Sequence, residues 1–341
     1  MQKSVAIIGA GVSGLTCGIV FAERGFRAKI FAEQVGRQTT SGAAGALWFP
    51  YDAEPAEKVI PWALATHRVL VDLAKDSSTG VSTIELRQYC RTGEIQIPDW
   101  ASVISIEVEK SLNISGLFSD GFSLRVPLTD TTIYLDYLSQ RFQNAGGEIK
   151  TNVRLGRLED VDSNFELVIN CAGIGARELA QDVDLEPHRG QVAIVPRMDE
   201  VDCAIVCDDD PLMYVIPRAN DCLFGGTNDV SANLNPDSAT TTAIVSECSR
   251  VLKIEPPRVL RERVGLRPFR KSGVRVEKEK LRDGRTVIHN YGHGGSGFTL
   301  SWGCAENVFE LAEIDNGAGG SRATWTGKPA RVDEPGGESI N

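Results

Sequence analysis

The chain has 341 residues, enough to bury a sizeable core and to divide into two domains. Acidic residues number 46 against 36 basic, a net charge of −10 that speaks against nucleic acid and anionic membrane surfaces as partners. No run reaches the length of a membrane span, and the eight scattered cysteines lack C-x-x-C spacing, so no metal motif is expected and a reducing cytoplasm fits best.

The apolar run Val5-Ala6-Ile7-Ile8 fits a buried parallel strand and leads into Gly9-Ala10-Gly11-Val12-Ser13-Gly14, the G-x-G-x-x-G spacing of a dinucleotide site. Gly9 permits the tight turn, Gly11 lets backbone approach a pyrophosphate, and Gly14 allows close packing of helix on strand. The helix that follows offers free N–H groups and a partial positive charge at its start. It should end near Arg24, with Gly25 as C-cap. A second strand over 27–32 then ends at Glu33, whose carboxylate can accept bonds from ribose hydroxyls and disfavours the 2′-phosphate of NADP. These glycines and the charged Glu23 and Arg24 also argue against a cleaved leader over 4–21.

A loop of small polar residues over 34–45 comes next, able to approach a ligand closely. Helical spacing over 55–76 and 129–144, the latter capped by Thr129 or Asp130, predicts two helices, with a mixed, partly antiparallel region between them. Residues 147–153 and 167–173 read as further strands of the parallel sheet. Short strands over 192–195, 204–207, 213–217 and 221–226, punctuated by Pro, Asp and Asn, belong to an antiparallel sheet. A helix near 240–252, a segment over 265–276 and a strand over 286–291 lead into a second glycine-rich entry, Gly292-His293-Gly294-Gly295-Ser296-Gly297, and a last helix to about Ile314. The tail from Asp315 has a disordered composition. Cys203, Cys207 and Cys222 are close enough in sequence to pair if oxidised. The four histidines show no metal spacing and receive no role.

The block Asn290-Tyr291-Gly292-His293-Gly294-Gly295-Ser296-Gly297-Phe298-Thr299-Leu300-Ser301-Trp302-Gly303, together with Gly265-Leu266-Arg267-Pro268-Phe269-Arg270, resembles the D-amino acid oxidase family. So do Leu47-Trp48-Phe49-Pro50-Tyr51, Pro127-Leu128-Thr129-Asp130, Asn170-Cys171-Ala172-Gly173, Arg189-Gly190-Gln191 and Tyr214-Val215-Ile216-Pro217, in the family's order over about residues 4–312.

The resemblance implies an α/β protein: a Rossmann-type FAD-binding domain (1–46, 139–186 and 281–314) and a substrate domain on a mixed, largely antiparallel sheet (47–138 and 187–280). FAD contacts are expected from Gly9, Ala10, Gly11, Val12, Ser13, Gly14, Glu33, Gln34, Thr40, Ser41, Gly45, Ala46, Leu47, Val153, Ala172, Gly294, Gly295, Ser296, Gly297, Phe298 and Thr299. Arg270 occupies the place of the arginine that pairs with the substrate carboxylate, Arg267 that of a structural partner. Tyr214 assists with the carboxylate, and the carbonyl of Gly295 accepts from the amine.

Phe49 and Met213 make the expected pocket apolar. Asn228 stands where fungal relatives carry a second tyrosine, and Asp208-Asp209-Asp210-Pro211 is short where mammalian relatives have a long lid. The implied activity is oxidation of neutral D-amino acids to 2-oxo acids and ammonia by hydride transfer to FAD, with oxygen reduced to hydrogen peroxide. D-aspartate, D-glutamate and glycine oxidation, and a non-catalytic FAD protein, are the alternatives. Homo-oligomerisation is left open.

Overall fold

The computed structural model describes residues 2–51, 53–104, 109–110 and 116–314. In chain order it runs β1 Ser4–Ala10, α1 Val12–Glu23, β2 Arg27–Val35, α2 Thr40–Ala43, α3 Ala56–Leu73, β3 Val81–Cys90, β4 Glu109–Lys110, β5 Asp120–Thr129 and α4 Thr131–Asn144. Then follow β6 Glu148–Lys150, β7 Leu167–Asn170, α5 Ala176–Leu179, β8 Leu185–Pro196, β9 Ala204–Cys207, β10 Met213–Pro217 and β11 Asp221–Gly225. The chain closes with β12 Asp229–Val230, α6 Ser238–Leu252, β13 Arg261–Arg270, β14 Arg275–Lys280, β15 Thr286–Tyr291 and α7 Gly297–Glu313. The tail expected to be disordered lies outside the described residues.

Six strands form one sheet in the order β14-β15-β7-β1-β2-β6, parallel except for β14 at its edge. From β1 the chain moves outward to β2 and β6, then returns to place β7 on the other side of β1. This reversal opens a crevice at the carboxyl ends of β1 and β7, where ligands of open α/β sheets bind. Helices α1, α4 and α7 pack together on this sheet, and α3 packs on α7. Gly303 makes that last contact close: a Cβ there would lie 2.2 Å from the Trp62 carbonyl oxygen.

The second sheet runs β12-β8-β11-β10-β9-β3-β5-β4, with β13 along β8, and is antiparallel apart from the β3–β9 pair. Period-two alternation sorts its side chains. Met213 and Val215 pack with Ile244, Val245 and Cys248 of α6 in one core, whereas Tyr214 and Ile216 point to the opposite side. All eight cysteines are free and buried, so the pairing considered for Cys203, Cys207 and Cys222 is not formed.

β14 pairs with β15 and so belongs to the first sheet. α4 runs unbroken over Thr131–Asn144, and its N-cap Asp130 accepts from the Thr132 N–H.

Candidate active site

A cavity of about 980 Å³ runs from the carboxyl ends of β1 and β7 to the second sheet, at the upper end of the range for small-molecule and cofactor sites. At its first-sheet end Gly9 adopts φ +98°, and a Cβ there would lie 2.4 Å from the Cys171 carbonyl oxygen, so only glycine makes this turn. A Cβ on Gly14 would lie 1.9 Å from the Gly9 oxygen, which is the close helix-on-strand packing the motif predicts. Gly11 faces the cavity, and a Cβ there would stand 3.0 Å from Ser41 Oγ, which accepts from the Val12 N–H at 3.0 Å. The first turn of α1 has no acidic side chain to compete with an anion, and Glu33 on β2 lines the same space. A helix start, a glycine cradle that a Cβ would fill and an acid on β2 lining the same cavity fit a dinucleotide such as FAD.

At the other end stand Tyr214 of β10 and Arg267 of β13. Glycines make room for both: a Cβ on Gly225 would collide with the Tyr214 ring at 2.1 Å, one on Gly226 with the Tyr214 hydroxyl at 2.6 Å, and one on Gly190 with the Arg267 guanidinium at 2.5 Å. Arg267 Nη1 donates to the Thr227 carbonyl at 2.7 Å and to Asn228 Oδ1 at 3.3 Å, while Nη2 lies 3.5 Å from the Tyr214 hydroxyl. Among the described residues Arg267 has no carboxylate partner. Burial raises the Tyr214 hydroxyl pKa against the opposing pull of Arg267, so it is a neutral donor. His293 also lines the cavity. Burial lowers its pKa to about 4, and Nε2 lies 3.0 Å from Asn290 Oδ1.

The structure brings most of the expected cofactor residues together: Gly9 to Ser13, Glu33, Gln34, Thr40, Ser41, Gly45, Ala46, Leu47, Val153, Ala172, Gly294, Gly295, Gly297 and Phe298 all line the cavity, as does Phe49. Three do not. Gly14 is a packing residue, and the Ser296 and Thr299 hydroxyls turn instead to the main chain of the 49–51 segment. Ser296 Oγ accepts from the Tyr51 N–H at 2.8 Å and donates to the Tyr51 carbonyl; Thr299 Oγ1 accepts from the Phe49 N–H at 3.1 Å and donates to its carbonyl at 3.0 Å.

Arg270 is a correction. Residues three apart on a strand face opposite ways. Arg270 therefore points away from the cavity, where Nε donates to Asp182 Oδ2 at 2.8 Å and Nη1 to the Gly273 carbonyl at 3.1 Å. Burial by itself would raise the Asp182 pKa, but bonds from Arg270 and Tyr291 outweigh it and hold the carboxyl below its usual range. Met213 is a second correction, since the same alternation sends it into the α6 core. Asn228 does not line the cavity, and its Oδ1 accepts from Arg267 Nη1.

The sequence reading missed Arg267, Tyr51, Gln88, Asp208 and His293, all of which line the cavity. Parity would have found the first: Gly265 and Arg267 share a face of β13. Among the described residues no group of His, Cys, Asp and Glu is arranged to hold a metal ion, and no helix is long and apolar enough to cross a membrane.

A Rossmann-type crevice whose cavity runs on to a second, largely antiparallel sheet is the architecture of a flavin-dependent oxidoreductase. The chain belongs to the DAO family of FAD dependent oxidoreductases, whose profile matches residues 4–311. It is 38% identical over 320 residues to a D-amino-acid oxidase of Rubrobacter xylanophilus, covering 90% of this chain and 94% of that one. A Streptomyces coelicolor D-amino-acid oxidase is 36% identical over 313 residues, covering 90% and 96%. Among solved structures, a glycine oxidase from Geobacillus kaustophilus superposes with a TM-score of 0.77 at 17% identity, covering 92% of this chain and 95% of that one.

Proposed function

We propose that the chain oxidises D-amino acids with uncharged side chains to 2-oxo acids and ammonia, with oxygen as the terminal acceptor and hydrogen peroxide as its product. The observation that carries this reading is Arg267: a guanidinium with no acid partner among the described residues, beside the Tyr214 hydroxyl, in the cavity that also holds the glycine motif. A planar guanidinium matches a carboxylate with two parallel bonds, and the tyrosine hydroxyl adds a neutral donor. The main chain of Gly295 supplies the acceptor for the substrate amine. FAD, when bound, accepts the Cα hydrogen as a hydride.

The protein's own part is alignment. With carboxylate and amine both held, the Cα–H has one direction left to it, and that geometry selects one enantiomer. No base is required. His293, with its pKa near 4, is too weak to abstract a Cα proton. The imino acid then hydrolyses in water. Side-chain carboxylates are disfavoured, because Arg154 and Arg267 are the arginines among the described lining residues and Arg154 adjoins Val153 at the dinucleotide end. Eight free thiols support a reducing compartment, the cytoplasm.

A panel of D- and L-amino acids, read by peroxide release from the FAD-loaded enzyme, tests the reading. Neutral D-amino acids should outrank D-aspartate and D-glutamate by at least about tenfold in kcat/KM, roughly 1.4 kcal/mol. L-enantiomers should be inert. D-aspartate or an L-amino acid as best substrate overturns it.

A further inference from the structure

Outside the cavity, β13 carries a second pair of arginines. Arg261 and Arg263 stand at alternate positions of the strand, so they share a face, and Arg218 comes close to them from the turn between β10 and β11. Three guanidinium groups thus gather around one carboxylate, Asp221. Arg218 Nε donates to its Oδ1 at 2.7 Å, and Arg261 Nη2 donates to its Oδ2 at 3.0 Å. Arg263 has no carboxylate partner among the described residues, and its Nη1 donates to the Gly42 carbonyl of α2.

Charge is poorly balanced there. The Arg218 side chain is 1% exposed and its Nη1 is buried with no hydrogen-bond partner, while Nη2 lies 2.7 Å from the Asp221 Oδ1 that Nε already engages, without hydrogen-bond geometry. Burial, and after it the charges of Arg218 and Arg261, push the Arg263 pKa down against weaker pulls from Asp221 and Asp130. Asp130 is committed to α4, where its Oδ1 accepts from the Thr132 N–H and hydroxyl. Buried cations are paired as a rule, so three held together on one acid are unfavourable until an anion joins them. In a chain of net charge −10 this excess of arginine is a local feature.

The geometry points to an oxyanion site at this cluster: Arg261 and Arg263 bind a compact tetrahedral dianion, phosphate either free or as a monoester, beside the buried charge of Arg218. Arginine suits the task, because its planar fork spans two oxygens of a phosphate. Asp221 offsets one of the three positive charges, and a dianion offsets the other two. A lone carboxylate leaves one over. The Arg261 side chain is 53% exposed, so the anion arrives from solvent and not through the cavity. The inference does not depend on which amino acid is oxidised. It sets the anion beside α2: Gly42, which Arg263 holds, belongs to the same short helix as Thr40 and Ser41, and those two line the dinucleotide end of the cavity.

Equilibrium dialysis of labelled inorganic phosphate against the FAD-loaded enzyme, with chloride holding ionic strength constant, tests the site. Saturable binding of about one equivalent is expected. In Arg261→Gln and in Arg263→Gln the Kd for phosphate should weaken at least about fivefold, whereas Arg267→Ala, which alters the substrate end alone, should bind phosphate as the wild type does. Arg261→Gln changes an exposed side chain and suffices should Arg263→Gln fail to retain FAD. Glycerol phosphate as competitor separates the two sources: displacement at equal concentration assigns a monoester, a need for about tenfold more assigns the free ion, and either upholds the site. Absence of saturable phosphate binding, a Kd within about twofold of wild type in both glutamine variants, or a loss confined to Arg267→Ala overturns it.

Discussion

Arg267 and Arg270 stand three residues apart on β13 and serve opposite faces of it: one reaches Tyr214 in the cavity, the other closes on Asp182 behind it. Their replacement should separate activity from stability. Arg267→Ala should keep FAD and its yellow colour while kcat/KM falls at least a hundredfold, about 3 kcal/mol of lost transition-state binding. Arg267→Lys should recover little, because a point charge does not reproduce the planar fork. Arg270→Ala should leave the KM for substrate nearly unchanged and lower unfolding stability by about 3 kcal/mol, since it strands a buried carboxylate. Denaturation curves and steady-state kinetics on both variants check the pair. Loss of activity confined to Arg270→Ala would reverse the assignment.

Tyr214→Phe tests the neutral donor. It removes a hydroxyl 3.5 Å from the Arg267 guanidinium without changing the ring that packs on Gly225 and Gly226. We expect kcat/KM to drop about tenfold, near 1.4 kcal/mol, with the loss chiefly in KM. A variant indistinguishable from wild type would remove Tyr214 from substrate binding.

At the glycine motif two substitutions fail differently. Gly11→Val places a side chain against Ser41 Oγ and into the cradle, so a folded, colourless apoprotein is expected. Gly14→Val drives its Cβ into the Gly9 carbonyl, so the β1–α1 turn itself should be lost along with soluble expression. Absorbance in the flavin band and far-ultraviolet circular dichroism tell the two outcomes apart.

The pH dependence of stability follows from His293. Its folded pKa, about 4, lies below an unfolded value near 6.5, so below pH 6.5 the unfolded chain binds a proton that the folded chain refuses. Stability from this group is therefore complete above about pH 6.5 and is lost as pH falls towards 4, by on the order of 3 kcal/mol. Burial lowers the pKa of His67 and His289 as well, which adds to the same slope. Urea unfolding at several pH values should show a shallower acid slope in His293→Asn than in wild type. Asp182 acts in the same direction at lower pH: its depressed pKa means that its contribution, present above the usual carboxylate range, fades as pH falls through the folded value.

Local punctuation made much of the fold readable. β9, β10 and β15 have the expected limits, because Pro, Asp and Gly bracket short apolar runs. β8 starts at Leu185, seven residues before the expected strand, since Pro187, His188 and Gly190 resemble a turn; their pairing with Arg267, Pro268 and Gly265 of β13 is a long-range effect. The long β3–β5 pair was not resolved, because its polar faces, with Glu85 and Arg87 opposite Arg125 and Ser123, hide the apolar alternation. The dinucleotide end of the site was legible because one contiguous motif builds it. The substrate end draws on β3, β9, β10 and β13, and there a family block located the strand while only side-chain parity told Arg267 from Arg270.

The hydroxyls of Ser296 and Thr299 satisfy the main chain of Tyr51 and Phe49 from both sides, N–H and carbonyl alike. Two side chains thus do for the junction what a ladder strand does for a sheet edge. Opening a hinge between the halves of the molecule at this seam would strip four hydrogen bonds to the main chain at once, which disfavours motion there. Substrate traffic is left to the rim that carries Asp208 and Leu234, so residues there should govern release rates while the floor stays rigid.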